Sequence, residues 1–165
     1  MKVAVIGSGG REHAICYKLK QSLKVKKLFC IPGNAGTQEI AENIEEDILN
    51  FDAIYKILKK KEIDMVVVGP EQPLVGGIVD YLNEKKIQVF GPNKFSSQLE
   101  GSKAFMKNIC KKNNIPTADF GIFNSFDEAS NFIKKNGAPI VVKADGLAAG
   151  KGVVVCNSIQ EALRS

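Results

Sequence analysis

Apolar residues along this chain come in short bursts, separated by polar stretches that repeat with helical spacing. Val3-Ala4-Val5-Ile6 is an unbroken apolar run and predicts, with Lys2, a buried strand. Gly7-Ser8-Gly9-Gly10 follows, and then a helical stretch from about Arg11 to Gln21, with Ala14, Ile15, Leu19 and Leu23 as its apolar positions. Leu28 to Ile31 predicts a second strand. It is ended by Pro32-Gly33-Asn34-Ala35-Gly36-Thr37, where the density of turn formers predicts a loop. A helix is predicted over 51–61, with Ile54, Ile57 and Leu58 on one face. Met65 to Val68 predicts a third buried strand, closed by Gly69-Pro70-Glu71. Leu74 to Lys85 reads as one helix that accepts Gly76-Gly77 near its start, and Gln88-Val89-Phe90 as a fourth strand stopped by Gly91-Pro92.

Strands that alternate with helices require crossover connections, so this part of the chain predicts an α/β fold with a parallel sheet. Ligands of such sheets sit at the carboxyl ends of the strands. Three of the four predicted strand ends carry Gly-rich or Pro/Gly loops with polar residues, which makes those ends the candidate site.

After about Glu100 the pattern changes. A helix is predicted over 102–112, leading through Ile115-Pro116-Thr117 to a short strand near Phe120 to Phe123. Ser125-Phe126-Asp127-Glu128 forms a capping box that opens a helix to about Lys135. Pro139 to Lys143 and Gly152 to Cys156 are two short strands joined by a glycine-rich loop, hence a hairpin rather than a crossover. Ser158-Ile159-Gln160-Glu161 is a second capping box.

A length of 165 residues leaves room for one compact domain and the beginning of another. With 44% hydrophobic and 25% charged residues, the composition is that of a soluble globular protein rather than a disordered or fibrous one. No apolar run is long enough to cross a bilayer, and the N-terminus lacks the features of a signal peptide, so the expectation is a cytoplasmic protein with no membrane partner. The net charge of +5 arises from 21 Lys and 2 Arg. Lys59-Lys60-Lys61, Lys85-Lys86, Lys111-Lys112 and Lys134-Lys135 each fall near the end of a predicted helix, where cations complement the dipole. No exposed aromatics interleave them, so nucleic acid is not expected as a partner. Cys16, Cys30, Cys110 and Cys156 lie far apart without a Cys-x-x-Cys pair, which predicts reduced thiols rather than zinc ligands or disulfides.

Gly7-Ser8-Gly9-Gly10-Arg11-Glu12 leaves a strand and opens a helix, so its backbone N–H groups suit an anion, and Arg11 could pair with a phosphate in bidentate fashion. Glu12 occupies the place of the third glycine of the dinucleotide fingerprint, which excludes that motif. Glycines serving only a tight turn would leave the same pattern. Asn34, Gly36 and Thr37 offer an amide, a hydroxyl and a flexible backbone beside this loop, and Glu71 adds a carboxylate able to bind sugar hydroxyls or an amine. Taken together, the three loops suit a phosphorylated sugar. Asp145 to Gly152 departs from a Walker loop at both ends and lies between strands. A glycine-rich loop with Lys151 can instead fold over nucleotide phosphates as a flap, with Lys143 as a further cation. His13 reads as a structural histidine.

Gly7 to Ala14, Pro32 to Thr37, Gly69-Pro70-Glu71 with Pro73-Leu74, Leu99 to Lys103 and Lys143 to Val153 together resemble the successive signatures of the phosphoribosylamine–glycine ligase family, also called glycinamide ribonucleotide synthetases. The resemblance spans essentially the whole chain. It implies a Rossmann-like substrate-binding domain over residues 1–101, followed by the partial small lobe of an ATP-grasp module over 102–165. It also implies that Gly9, Gly10, Arg11, Glu12, Asn34, Gly36, Thr37 and Glu71 help hold phosphoribosylamine. Lys103, Lys143, Gly146, Gly150, Lys151 and Gly152 would meet ATP. The implied reaction joins glycine to phosphoribosylamine through a glycyl phosphate. By the same resemblance the ligands of Mg²⁺ (or Mn²⁺) lie beyond residue 165, no catalytic residue is assignable before it, and the chain alone is expected to have little or no ligase activity. Other ATP-grasp ligases of purine or carboxylation metabolism, or a non-catalytic phosphosugar-binding module, are the competing readings.

Overall fold

The computed structural model describes residues 1–148 and 150–165; Ala149 lies outside the described residues. Two compact units are present, Met1–Ser97 and Gln98–Ser165.

The first unit runs β1 (Lys2–Gly7), α1 (Gly10–Lys20), β2 (Lys27–Pro32), α2 (Ala35–Gln38), β3 (Glu42–Asn43), α3 (Phe51–Lys61), β4 (Met65–Val68), α4 (Glu71–Gly76), α5 (Ile78–Glu84) and β5 (Val89–Phe90). Among the described residues its strands form one sheet in the order β3-β2-β1-β4-β5, with every neighbouring pair parallel. The α/β parallel fold read from the sequence is therefore the observed one. Gly7 pairs with Pro32, and Ile6 with both Ile31 and Val68. Three strand ends are thereby set side by side. The chain moves outward on one side of β1 through β2 and β3, then returns to the other side at β4, so β1 and β4 flank the point where strand order reverses.

Both faces of the sheet are covered, as the continuous apolar runs require. On one face Ala4, Ile6, Phe29, Ile31, Val66 and Val68 pack against Ile54 and Leu58 of α3 and Ile78, Val79 and Leu82 of α5. On the other, Val3, Val5, Leu28 and Cys30 meet Cys16 of α1. Cys16, Cys30 and Cys156 are buried and Cys110 is partly so, all four as free thiols.

The sequence pattern set α1 in a different rotation. Ala14 and Leu23 are exposed, whereas Glu12 and Cys16 point inward with Ile15 and Leu19 beside them. The helix phase is fixed by its buried glutamate, which a hydrophobicity pattern counts as outward-facing, and Leu23 falls beyond the helix end at Lys20. Pro32 to Thr37 is not loop throughout, because Asn34 caps the single turn of α2. The two-residue β3 went unpredicted, since Glu-Asn carries no strand signal. It is tied down by Lys27 and Lys61, whose ammonium groups lie 2.7 and 2.6 Å from the Glu42 carboxylate. The single helix expected over 74–85 is two. Gly77 adopts φ +99°, donates its N–H to the carbonyls of Pro73 and Leu74, and ends α4 before α5 begins. Only glycine enters this region without strain.

The second unit comprises α6 (Gln98–Gly101), α7 (Lys103–Lys112), α8 (Phe126–Asn136), β6 (Ile140–Lys143), β7 (Val153–Cys156) and α9 (Ile159–Arg164). β6 and β7 form the expected antiparallel hairpin, with Lys143 opposite Val153. One face of it packs Cys156, Ile140 and Val142 on Ile133, Ala162 and Leu163. The other leaves Val141, Val153 and Val155 exposed. The Ser125 and Ser158 hydroxyls accept the N–H groups of Glu128 and Glu161, as capping requires. The strand expected near Phe120 to Phe123 is absent among the described residues. That segment is held by side chains instead: Lys107 Nζ donates to Thr117 Oγ1 and to the Ala118 carbonyl, and Phe123 lies 5.1 Å from Phe132, centroid to centroid.

Candidate functional site

The site in the first unit is built around a carboxylate. Glu12, in the first turn of α1, is only 3% exposed. Its Oε2 accepts the N–H of Gly9 at 2.7 Å, and its Oε1 accepts Arg11 Nε–H at 2.8 Å. Gly7 and Gly69, at the ends of β1 and β4, close on it from either side. A Cβ on Gly7 would stand 2.5 Å from Glu12 Cγ, and one on Gly69 2.6 Å from the same atom. Both glycines are needed because this carboxylate occupies the space between them. Glu12 could stand in the third position of a fingerprint-like loop because it fills the crossing that a glycine would leave open.

Arg11 Nη1 donates to Glu71 Oε1 at 2.9 Å. The guanidinium thus bridges the loop after β1 to the first turn of α4. Glu71 is held below the usual carboxylate range chiefly by this hydrogen bond, and Arg11 is raised further by the bonds to Glu71 and Glu12. Arg11 is half-exposed, and Glu71 nearly so.

The loop after β2 is tied to the loop after β1. Asn34 Nδ2 donates to the Ser8 carbonyl at 2.8 Å. Its Oδ1 accepts Thr37 N–H at 2.9 Å, and its own N–H donates to Thr37 Oγ1 at 2.7 Å. The Thr37 hydroxyl, fully buried, lies 2.8 Å from Asn43 Oδ1, while Asn43 Nδ2 donates to the Asn34 carbonyl. His13 packs on Gly36, where a Cβ would come 2.6 Å from Nδ1. Gly9, Arg11, Glu12, Asn34, Thr37 and Glu71 are therefore joined by direct hydrogen bonds, and Gly10 and Gly36 belong to the same loops. Glu12 and Thr37 face inward and brace the cluster. Arg11, Glu71, Gly10 and Asn34 face or border solvent.

In the second unit Lys143 is exposed at the end of β6 and Lys151 is exposed in the loop before β7. Gly146 and Gly150 have φ of +88° and +77° with open space beyond them. A Cβ on Gly152 would meet that of Ala148 at 2.7 Å, and the Gly152 carbonyl accepts Ala144 N–H. The flap expected over 146–152 includes Ala149, outside the described residues. Lys103 Nζ donates to the Gly146 carbonyl at 2.8 Å. Asp145 accepts Ser102 Oγ–H at 2.9 Å and Ala104 N–H at 3.2 Å. It is held below the ordinary carboxylate range mainly by that backbone N–H. The base of the loop is thus fastened to the first turn of α7, next to Lys103. Three ammonium groups and a glycine-rich backbone are a donor set that fits a polyphosphate. Among the described residues, no group of three or more His, Cys, Asp or Glu could hold a metal ion.

Sequence reasoning missed Asn43 and Asp145. Asn43 sits in a strand too short to announce itself, and the partner of Asp145, Ser102, lies 43 positions away, which leaves no linear signal. A shallow groove of about 260 Å³, lined by Lys20, Lys26, Lys27 and Glu42 among others, opens by the amino end of β2. It lies away from the strand-end cluster, and Lys27 and Glu42 there already pair with each other.

Several ligase and carboxylase structures share the fold of this chain. The N5-carboxyaminoimidazole ribonucleotide synthetase of Thermotoga maritima matches 99% of the chain, over 43% of its own, with a TM-score of 0.74 at 17% identity, a likeness of fold alone. The phosphoribosylamine–glycine ligase of the same organism matches 99% of the chain, over 38% of its own, with a TM-score of 0.78 at 35% identity. The phosphoribosylglycinamide synthetase N-domain family matches residues 1–100, and the ATP-grasp (A) domain family of the same enzyme matches residues 101–165. The chain belongs to the phosphoribosylglycinamide synthetase family. Curated relatives include the phosphoribosylamine–glycine ligases of Brucella melitensis, 52% identical over 99% of the chain, and Rhodopirellula baltica, 49% identical over 99%. The chain spans 38% and 39% of the length of these two relatives.

Proposed function

We propose that the full-length gene product joins glycine to 5-phosphoribosylamine, giving glycinamide ribonucleotide, ADP and phosphate through a glycyl phosphate, in purine biosynthesis. The observation that carries this reading is the match of both family domains, in order, over the whole chain. The hydrogen-bonded cluster at the strand ends supports a phosphosugar site within it. Arg11 would meet the phosphate, while Glu71, Asn34 and the backbone at Gly9, Gly10 and Gly36 would border the sugar and its amine. Glu12 and Thr37 would serve that site from the interior.

ATP would be met by Lys103, Lys143 and Lys151 and by the glycine backbone at Gly146, Gly150 and Gly152. These groups bind and neutralise phosphate charge, so their work is positioning. Mg²⁺ or Mn²⁺ would add charge neutralisation at the phosphates, with no ligand assigned to it in this chain. The same reading divides the chain into a substrate domain over 1–101 and the start of an ATP-grasp domain over 102–165, which the two compact units and the matched family ranges support. Among the described residues no helix is long and apolar enough to cross a membrane. The setting proposed for the reaction is the cytoplasm, with the small-molecule substrates as partners.

Release of ADP by the full-length gene product, measured with each substrate omitted in turn, tests the proposal. Release that requires both glycine and phosphoribosylamine is expected. Release independent of glycine would overturn it.

A further inference from the structure

We infer that Glu12 is a positioning residue: it grips the Arg11 guanidinium by its Nε edge, and Glu71 is the displaceable partner that a substrate phosphate replaces. The inference rests on the phosphosugar reading of the site and specifies how that site works.

Three observations carry it. First, Glu12 is immobilised. It is 3% exposed, lies between the Cα atoms of Gly7 and Gly69, and has one oxygen fixed by the Gly9 N–H. A buried carboxylate is tolerable only when fully paired, and the remaining oxygen has Arg11 Nε–H as its partner at 2.8 Å. Second, the two carboxylates differ in accessibility. The side chain of Glu12 is 3% exposed and that of Glu71 is 43% exposed. An incoming anion can compete with Glu71 in water but not with Glu12 in the interior. Third, guanidinium geometry divides the work. Nε is spent on Glu12 and Nη1 on Glu71, and Nη2 makes no hydrogen bond among the described residues. Releasing Glu71 frees the Nη1–Nη2 edge, the pair of parallel donors that binds a phosphate in bidentate fashion. The guanidinium need not move to do so, because Glu12 keeps its other end. The freed Glu71 carboxylate then stands beside the bound sugar as an acceptor for a hydroxyl or amine.

The test uses ribose 5-phosphate as probe, titrated calorimetrically into the 165-residue chain and into Glu12→Gln, Glu71→Gln, Arg11→Lys and Arg11→Ala variants, with ribose as the phosphate-free control. Glu12→Gln keeps an acceptor for Gly9 but removes the charge that holds Nε. It is expected to weaken ribose 5-phosphate about tenfold or more, comparably to Arg11→Lys, without changing the response to ribose. Glu71→Gln removes the competing charge but keeps an amide oxygen as acceptor for the sugar, and is expected to tighten ribose 5-phosphate severalfold, so the exchange remains testable if Glu12→Gln does not fold. The NMR resonance of Arg11 Nε–H supplies a readout independent of ligand. It should be shifted and slow to exchange in the parent and in Glu71→Gln, and lost in Glu12→Gln. Unaltered affinity and an unaltered Nε–H signal in Glu12→Gln would overturn the positioning role while leaving the phosphosugar site standing. Weaker binding in Glu71→Gln would overturn the exchange. Unchanged binding in Arg11→Ala would remove the phosphosugar reading and this inference with it.

Discussion

At the scale of single residues, the chemistry at the strand ends is governed by charge partnership. Arg11 joins two carboxylates, one interior and one near the surface, so its replacement has two consequences that are measured separately. On the proposed function, Arg11→Ala in the full-length gene product is expected to raise the KM for phosphoribosylamine, with roughly 1.5–3 kcal/mol of binding lost, the range for a charged hydrogen bond. It also leaves Glu12 buried without its cation, so the midpoint of urea unfolding should fall. A variant with an unchanged KM would take Arg11 out of the site, whatever its stability. Gly69→Ala acts by bulk alone. The added Cβ would stand 2.6 Å from Glu12 Cγ, and the backbone there is boxed in by the sheet. A loss of about 1–3 kcal/mol in chemical denaturation is expected, the usual range for overpacking, and a neutral substitution would mean that Glu12 can leave its pocket.

At the scale of elements, the strands and most helices were legible because their signals are local. β1, β2 and β4 are apolar runs bounded by glycine or proline, and α3 begins and ends where its pattern says. What was not legible depended on partners remote in sequence. The rotation of α1 follows from Glu12 sitting against Gly69, a contact between residues 57 positions apart. The break at Gly77 was hidden because glycine near a helix start is tolerable, and only the backbone angle shows that it separates two helices. The site followed the same division. Its residue types could be listed from the loops, but which of them face solvent and which brace the others could not. The second unit illustrates this with Asp145, whose link to the start of α7 can be tested by pH. The carboxyl is depressed in the folded protein by the Ala104 N–H and the Ser102 hydroxyl. Its stabilising contribution is therefore present above the unfolded value, near pH 4, and is lost as pH falls through the lower folded value. Replacement by Asn, which keeps an acceptor oxygen but cannot titrate, should destabilise the chain at neutral pH by only a few tenths of a kcal/mol, as suits an exposed charge. The gap from the parent should narrow below about pH 4. A gap that stays constant with pH would mean that the charge of Asp145 contributes nothing.

At the scale of the molecule, the two units differ in how much core they own. Every buried residue of the two larger apolar clusters belongs to residues 3–87, whereas the second unit's cluster holds Ile133, Cys156 and Ala162. A chain ending at Ser97 is accordingly expected to unfold in one cooperative transition by calorimetry, and a broad, gradual melt would show that the sheet depends on residues 98–165. Those residues taken alone should behave otherwise. Their sheet is a two-stranded hairpin with one face on α8 and α9, and the cluster beneath it is far smaller than the core of the first unit. Its outer face presents Val141, Val153 and Val155, and a two-stranded sheet has no interior strand to shield its backbone. In colloidal terms the hairpin is an adhesive edge. A solution of this piece should scatter light increasingly with concentration and time, whereas lysine placed at Val155 should keep it clear.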